Sequence, residues 1–164
     1  MGILVLICMT LILALFDMLM KYAVESSLDA KEERYAFKKK LILRRVYNKG
    51  FCMNRMEDKP EVVKYTSAYA AVLVTIYQMF TLLKKKECLL KKIGLSMLSA
   101  GAWSNTFDRW FRGHVVDYIG IPSENKEVEK VTFNLADVFI AVGGVFVAVS
   151  AVLQVIKEVF GKKS

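Results

Sequence analysis

Nineteen consecutive residues from Tyr65 to Leu83 carry no charged side chain, and none is charged from Gly2 to Phe16. In hydrocarbon every backbone N–H and C=O must find its partner within the segment, so apolar runs of this length predict helices that cross a bilayer. The first run keeps its apolar character through Asp17 and Lys21 to Val24, which predicts a span over 2–24. It has neither a basic leading region nor a clear small-residue cleavage site, and so reads as a retained helix rather than a removed leader. Two further spans are expected, 93–111, charged only near its far end at Asp108 and Arg109, and 133–156, in which Asp137 is the one charge. The expectation is an all-α membrane protein, a single integral membrane domain over 1–164 built as a four-transmembrane-helix bundle, and the 55% hydrophobic content agrees.

The segments between the spans differ in charge. Residues 84–92 hold five lysines and one glutamate, a short basic loop that the positive-inside rule puts in the cytoplasm. The loop 112–132 is less basic and suits the outer side, as does a cytoplasmic placement of both termini. The insert 25–64 opposes this simple picture, with eleven Lys or Arg against seven acidic residues, so charge alone leaves orientation undecided. Within that insert Leu41 to Tyr47 has the β-branched and aromatic content of a short strand, ending in the turn-prone Asn48-Lys49-Gly50. A net charge of +8 is compatible with nucleic acid, but the lysines cluster beside apolar spans, and anionic lipid headgroups explain them more simply. No nucleic-acid partner is expected. Cys8, Cys52 and Cys88 show no metal-ligand or disulfide spacing, and His114, the lone histidine, has no ligand cluster around it and reads as a surface residue; no metal and no cofactor is expected.

Topology brings the chemistry-bearing residues together. If one span ends near Phe111 and the next begins near Phe133, both ends lie at the same membrane face, with Asp117 just past the first and Asp137 one turn into the second. Asn105 and Arg109 stand four apart, and Asn134 and Asp137 three apart, so each pair is expected to share a helix face. Asp17 and Lys21, one turn apart, predict an ion pair. Ionisable groups in or beside a membrane segment are functional candidates, because burying them is costly. Two close carboxylates suit peptide hydrolysis: their repulsion raises one apparent pKa and leaves the other low, so that one member takes a proton from water and the other donates to the carbonyl oxygen. Structural aspartates, or a proton or ion path through a bundle, are the competing readings.

The patterns G-A-x-x-N-x-x-D-R at Gly101 to Arg109, G-x-V-V-D-Y-I at Gly113 to Ile119 and F-N-x-A-D at Phe133 to Asp137 resemble the lipoprotein signal peptidase (signal peptidase II) family. Asp17-x-x-x-Lys21 and Asn48-x-Gly50 match two further motifs of that family. The resemblance implies an aspartic endopeptidase of the bacterial plasma membrane, working without metal or cofactor and cutting diacylglyceryl-prolipoproteins immediately before the lipidated cysteine at the extracytoplasmic face. It implies that Asp117 and Asp137 are catalytic and that Asn105, Arg109, Asn134, Asn48 and Gly50 shape the site or bind substrate. Asp17, Lys21 and Asp108 are expected as structural polar residues, Asp108 through a local ion pair or helix-end contact. The insert is expected to form a small extracytoplasmic β-containing platform, and the chain to act as a monomer among membrane lipids. A relative that grips lipidated prolipoproteins without cutting them is the alternative. Met18, Ser104 and Val138 depart from the family's usual glutamine, glycine and serine, and Ser104 is expected to loosen close helix packing.

Overall fold

The computed structural model describes residues 2–29, 32–51 and 55–160. Cys52, Met53 and the basic tail 161–164 lie outside the described residues. Four long helices carry the fold: α1 (Ile3–Ser27), α2 (Pro60–Leu83), α3 (Leu89–Phe111) and α5 (Leu135–Phe160), with a single turn α4 (Lys126–Glu129) before the last. Strands β1 (Glu33–Ala36), β2 (Leu41–Asn48), β3 (Val115–Gly120) and β4 (Thr132–Phe133) pair antiparallel in that order.

Among the described residues, α1, α2 and α5 are long and apolar enough to cross a membrane. Their outward faces bear exposed Leu11, Leu15, Leu73, Phe80, Val145 and Val152. A surface this apolar is unsuited to water and matches acyl chains. Helix α3 is different: it is buried along Gly94, Ser96, Ser99, Gly101 and Ser104, small and polar residues that read poorly as a span by composition. Their size lets α3 sit at the centre, touching α1, α2 and α5. At its crossing with α5, Gly94 lies against Gly143 and Gly101 against Ala136, so close that a Cβ on either glycine would collide with backbone carbonyl oxygen. Small residues at such a crossing let two backbones approach where lipid supplies no hydrophobic drive. Gln78 adds a polar tie between helices, its side-chain amide donating to Thr10 Oγ1 (2.9 Å) and Ser96 Oγ (3.0 Å).

The sheet covers one end of the helices. Strand β2 occupies the expected segment, but its partner β3 comes from the stretch 112–132 read as a loop, so the platform is built from both inserts. Pairing of Val46 with Asp117 and of Asn48 with Val115, past an irregularity between Leu43 and Val46, fixes which β3 side chains face the bundle. Tyr118 packs with Val24 and Leu28 at the end of α1, which anchors the sheet to the helices. The helices also overrun the expected limits, since Pro60 starts α2 five residues before Tyr65, and α1 continues to Ser27.

Candidate active site

Asp137 stands in the first turn of α5, held by a reciprocal pair of hydrogen bonds. The Asp137 N–H donates to Asn134 Oδ1 (2.9 Å), and the Asn134 N–H donates to Asp137 Oδ2 (3.1 Å). This is a capping box, with Asn134 as the N-cap and the carboxylate of the third helical residue reaching back. Asn134 therefore precedes the helix and does not share a helix face with Asp137, as their spacing had suggested. The cap leaves its amide free to reach across: Asn134 Nδ2 donates to Asp117 Oδ1 at 2.7 Å. A single buried asparagine thus fastens both aspartates.

Asp117 lies on β3, 4% exposed, rather than in a loop. Its Oδ2 accepts from Asn48 Nδ2 (3.1 Å), a diagonal cross-strand contact made possible by the β2–β3 register. Asn48 Oδ1 accepts in turn from the Gly50 N–H (3.0 Å), the local turn expected of Asn-x-Gly. Burial pushes the Asp117 carboxyl up to about 7, and the charge of Asp137 adds to the rise; the amides of Asn48 and Asn134 and the Lys21 ammonium oppose it.

Helix α3 supplies the third wall. Asn105 Nδ2 donates to Asp137 Oδ1 (2.9 Å), and Arg109, one turn on, donates from Nη2 to the Gly50 carbonyl (2.9 Å). Asp117, Asp137, Asn105, Arg109 and Asn48 all line one cavity of about 540 Å³. Gly50 and Asn134 support it from behind. Its apolar side is made by Val46, Phe51, Val115, Phe133 and Ile140. Sequence reasoning missed these, although Val115 is two residues from Asp117 on a strand and Ile140 three from Asp137 on a helix, the spacings that share a face.

Behind the cavity lies a charged cluster. Lys21 Nζ is 2.7 Å from Asp17 Oδ2 and 2.8 Å from Asp108 Oδ2, all three side chains fully buried. Lys21 also donates to Asn105 Oδ1 (2.8 Å). Asp108 therefore makes a long-range pair to α1 in addition to a local one, with Arg112 at 3.5 Å. Two members were not anticipated. Tyr118 donates its hydroxyl proton to Asp17 Oδ1 (3.0 Å), and burial drives that phenol's pKa upward. Ser104 donates to Asp17 Oδ2 (2.6 Å) and accepts from Lys21 (3.2 Å), which makes it a member of the cluster. His114 is half-buried, 3.9 Å from Glu25 and 4.1 Å between ring centroids from Tyr47, and is not the surface residue expected. Among the described residues no group of His, Cys, Asp and Glu could hold a metal ion.

Comparison with known proteins bears directly on this arrangement. The family model for signal peptidase (SPase) II matches residues 9–153. The lipoprotein signal peptidase of Neisseria gonorrhoeae is 33% identical over 138 residues, covering 84% of this chain and 83% of the relative. That of Neisseria meningitidis serogroup C is 34% identical over 149 residues, covering 90% and 87%, and that of Fusobacterium nucleatum 31% over 139 residues, covering 85% and 81%. Two solved structures described as bacterial membrane enzymes share the fold, with TM-scores of 0.75 and 0.73 at 21% and 20% identity; they cover 98% and 90% of this chain and 92% of each of theirs.

Proposed function

Since the chain belongs to the signal peptidase II family of aspartic peptidases, we propose that it removes the signal peptide of diacylglyceryl-modified prolipoproteins with Asp117 and Asp137 as its acid–base pair. The observation that carries this assignment is that both carboxylates open on one cavity while Asn134 ties them together. The cavity has a polar floor and an apolar side, which suits a peptide whose neighbouring cysteine carries acyl chains. The protonated aspartate donates to the scissile carbonyl oxygen as the ionised one takes a proton from water, and the resulting hydroxide equivalent attacks the carbonyl carbon. Collapse of the tetrahedral intermediate breaks the C–N bond, and the proton gained from water passes to the departing amine of the lipidated cysteine. Arg109 and Asn105 are placed to hold the substrate backbone beside the pair.

All four long helices span the bilayer in this reading. Helix α3, 23 residues long, reaches about 35 Å at 1.5 Å per residue, and its buried polar face is screened from lipid by its neighbours. The basic turn 84–92 lies in the cytoplasm, which puts the aspartates and the sheet at the extracytoplasmic face.

The test is cleavage of a diacylglyceryl-prolipoprotein by purified protein in lipid. Asp117→Asn and Asp137→Asn are each expected to lower turnover by roughly 10²–10⁴-fold, the usual contribution of a positioned acid or base. Wild-type turnover in either variant would remove that residue from the chemistry.

A further inference from the structure

At the end of the bundle remote from the aspartates, a second cavity of about 580 Å³ opens between the turn joining α2 to α3 and the last turns of α5. Lys84, Lys85, Lys86 and Lys157 line it, against one carboxylate, Glu87. Glu87 is already engaged, its Oε1 3.5 Å from Lys91 Nζ. Among the described residues, none of the four lining lysines forms an ion pair with a carboxylate. The start of α3 at Cys88 also borders the cavity, with no side-chain cap and no acidic residue in its first turn, so its positive dipole end adds to the field. Four ammonium groups and a bare helix start around one concavity favour an anion.

The other wall indicates which anion. Leu153 of α5 lines the cavity, and exposed Val149, Ile156 and Phe160, four, three and seven residues from it, share its side of the helix. A ligand seated here meets cations at one end and a hydrocarbon-facing helix at the other. Lysines at such a boundary lay their methylene stems on the apolar surface and hold their charge at headgroup level. We propose that this cavity is a binding site for the phosphate headgroup of an anionic glycerophospholipid whose acyl chains lie along the Leu153 side of α5. The site is independent of the hydrolytic reading, since it shares no residue with the catalytic cavity.

Full-length protein embedded in phosphatidylcholine containing about one-fifth phosphatidylglycerol, then released gently and weighed by native mass spectrometry, reports the lipid retained. The Lys85→Gln/Lys86→Gln/Lys157→Gln variant is expected to keep roughly fivefold less phosphatidylglycerol or lower still, fivefold being the worth of one lysine near an anionic surface. The charge-matched Lys38→Gln/Lys39→Gln/Lys40→Gln variant, altered on the sheet side, is expected to retain it as the wild type does. Lys157→Glu alone, at an exposed helix position, gives the same loss with little risk to folding. Equal retention in the cavity variants, an equal loss in both triple variants, or displacement of the lipid by millimolar inorganic phosphate would each overturn the proposal. Prolipoprotein cleavage in pure phosphatidylcholine is expected to stay at the wild-type rate in the cavity variants, which keeps this test separate from that of the aspartates.

Discussion

Asp117 keeps a proton at pH values where an exposed aspartate has lost it, because burial and the neighbouring charge of Asp137 both disfavour its ionised form. Below about pH 7 it can act as the acid of the pair; above, it has lost the proton it would donate. Cleavage, read as kcat/KM, is therefore expected to fall as pH rises through about 7. Asn48 donates to Asp117 Oδ2 and so favours the ionised form. Asn48→Ala removes that donor and is expected to move the falling limb to higher pH; a limb that moves to lower pH would contradict the assignment. Stability follows the same sign. The folded state binds a proton that the unfolded chain releases near 3.8, so this residue's contribution declines from about pH 4 to about 7 and is level above. At Ser104 the hydroxyl bonds to Asp17 and Lys21 with no exposure to water, and Ser104→Ala is expected to lower stability by about 1–3 kcal/mol, measured as a drop in thermal midpoint in detergent.

The elements that hold the site depend on how closely α3 and α5 approach. A Cβ at Gly101 would meet the carbonyl oxygen of Ala136, the residue beside Asp137, while Gly144 on the same helix as Asp137 has open space. Gly101→Ala is expected to push α5 away from Asn105, costing activity at least as much as stability, whereas Gly144→Ala should leave turnover near wild type in the cleavage assay. Similar losses from both substitutions would mean that the crossing does not set the site. The two outer helices and α5 were legible because unbroken apolar runs have one economical fate in lipid. Helix α3 was less so: its inward face of Gly, Ser and Asn carries the packing, and composition registers these as polar rather than as buried. Strand β3 was missed for another reason. Val115-Val116-Asp117-Tyr118 is buried on both faces, so it lacks the alternation that marks a half-exposed strand, and its partner β2 lies far away in sequence. Asn134 and Asp137 were legible as a pair, but their three-residue spacing fits a shared helix face and a capping box alike, and only the start of α5 at Leu135 separates the two.

At the scale of the whole molecule, one buried cation connects the first helix to the reacting pair. Lys21 is a donor only, so its contact with Asn105 must fall on Oδ1, which turns the Asn105 amide nitrogen toward Asp137. The same ammonium balances Asp17 on α1 and Asp108 on α3, and the Tyr118 hydroxyl carries the connection from Asp17 to the N–H of Leu135 at the start of α5 (3.3 Å). Lys21→Met leaves two fully buried carboxylates without their shared cation, a loss expected to cost about 3–5 kcal/mol. Adding Asp108→Asn removes one of the stranded charges and is expected to return part of the thermal midpoint. Turnover is not expected to return in full with it, because Asn105 Oδ1 has then lost the 2.8 Å ammonium contact and keeps only the longer one from Asn134 Nδ2 (3.2 Å) to hold its amide against Asp137. Thermal melting and prolipoprotein cleavage measured side by side separate these two consequences. Recovery of both together would reduce Lys21 to a structural ion pair, whereas recovery of stability alone identifies it as the group that orients the site from the opposite side of the bundle.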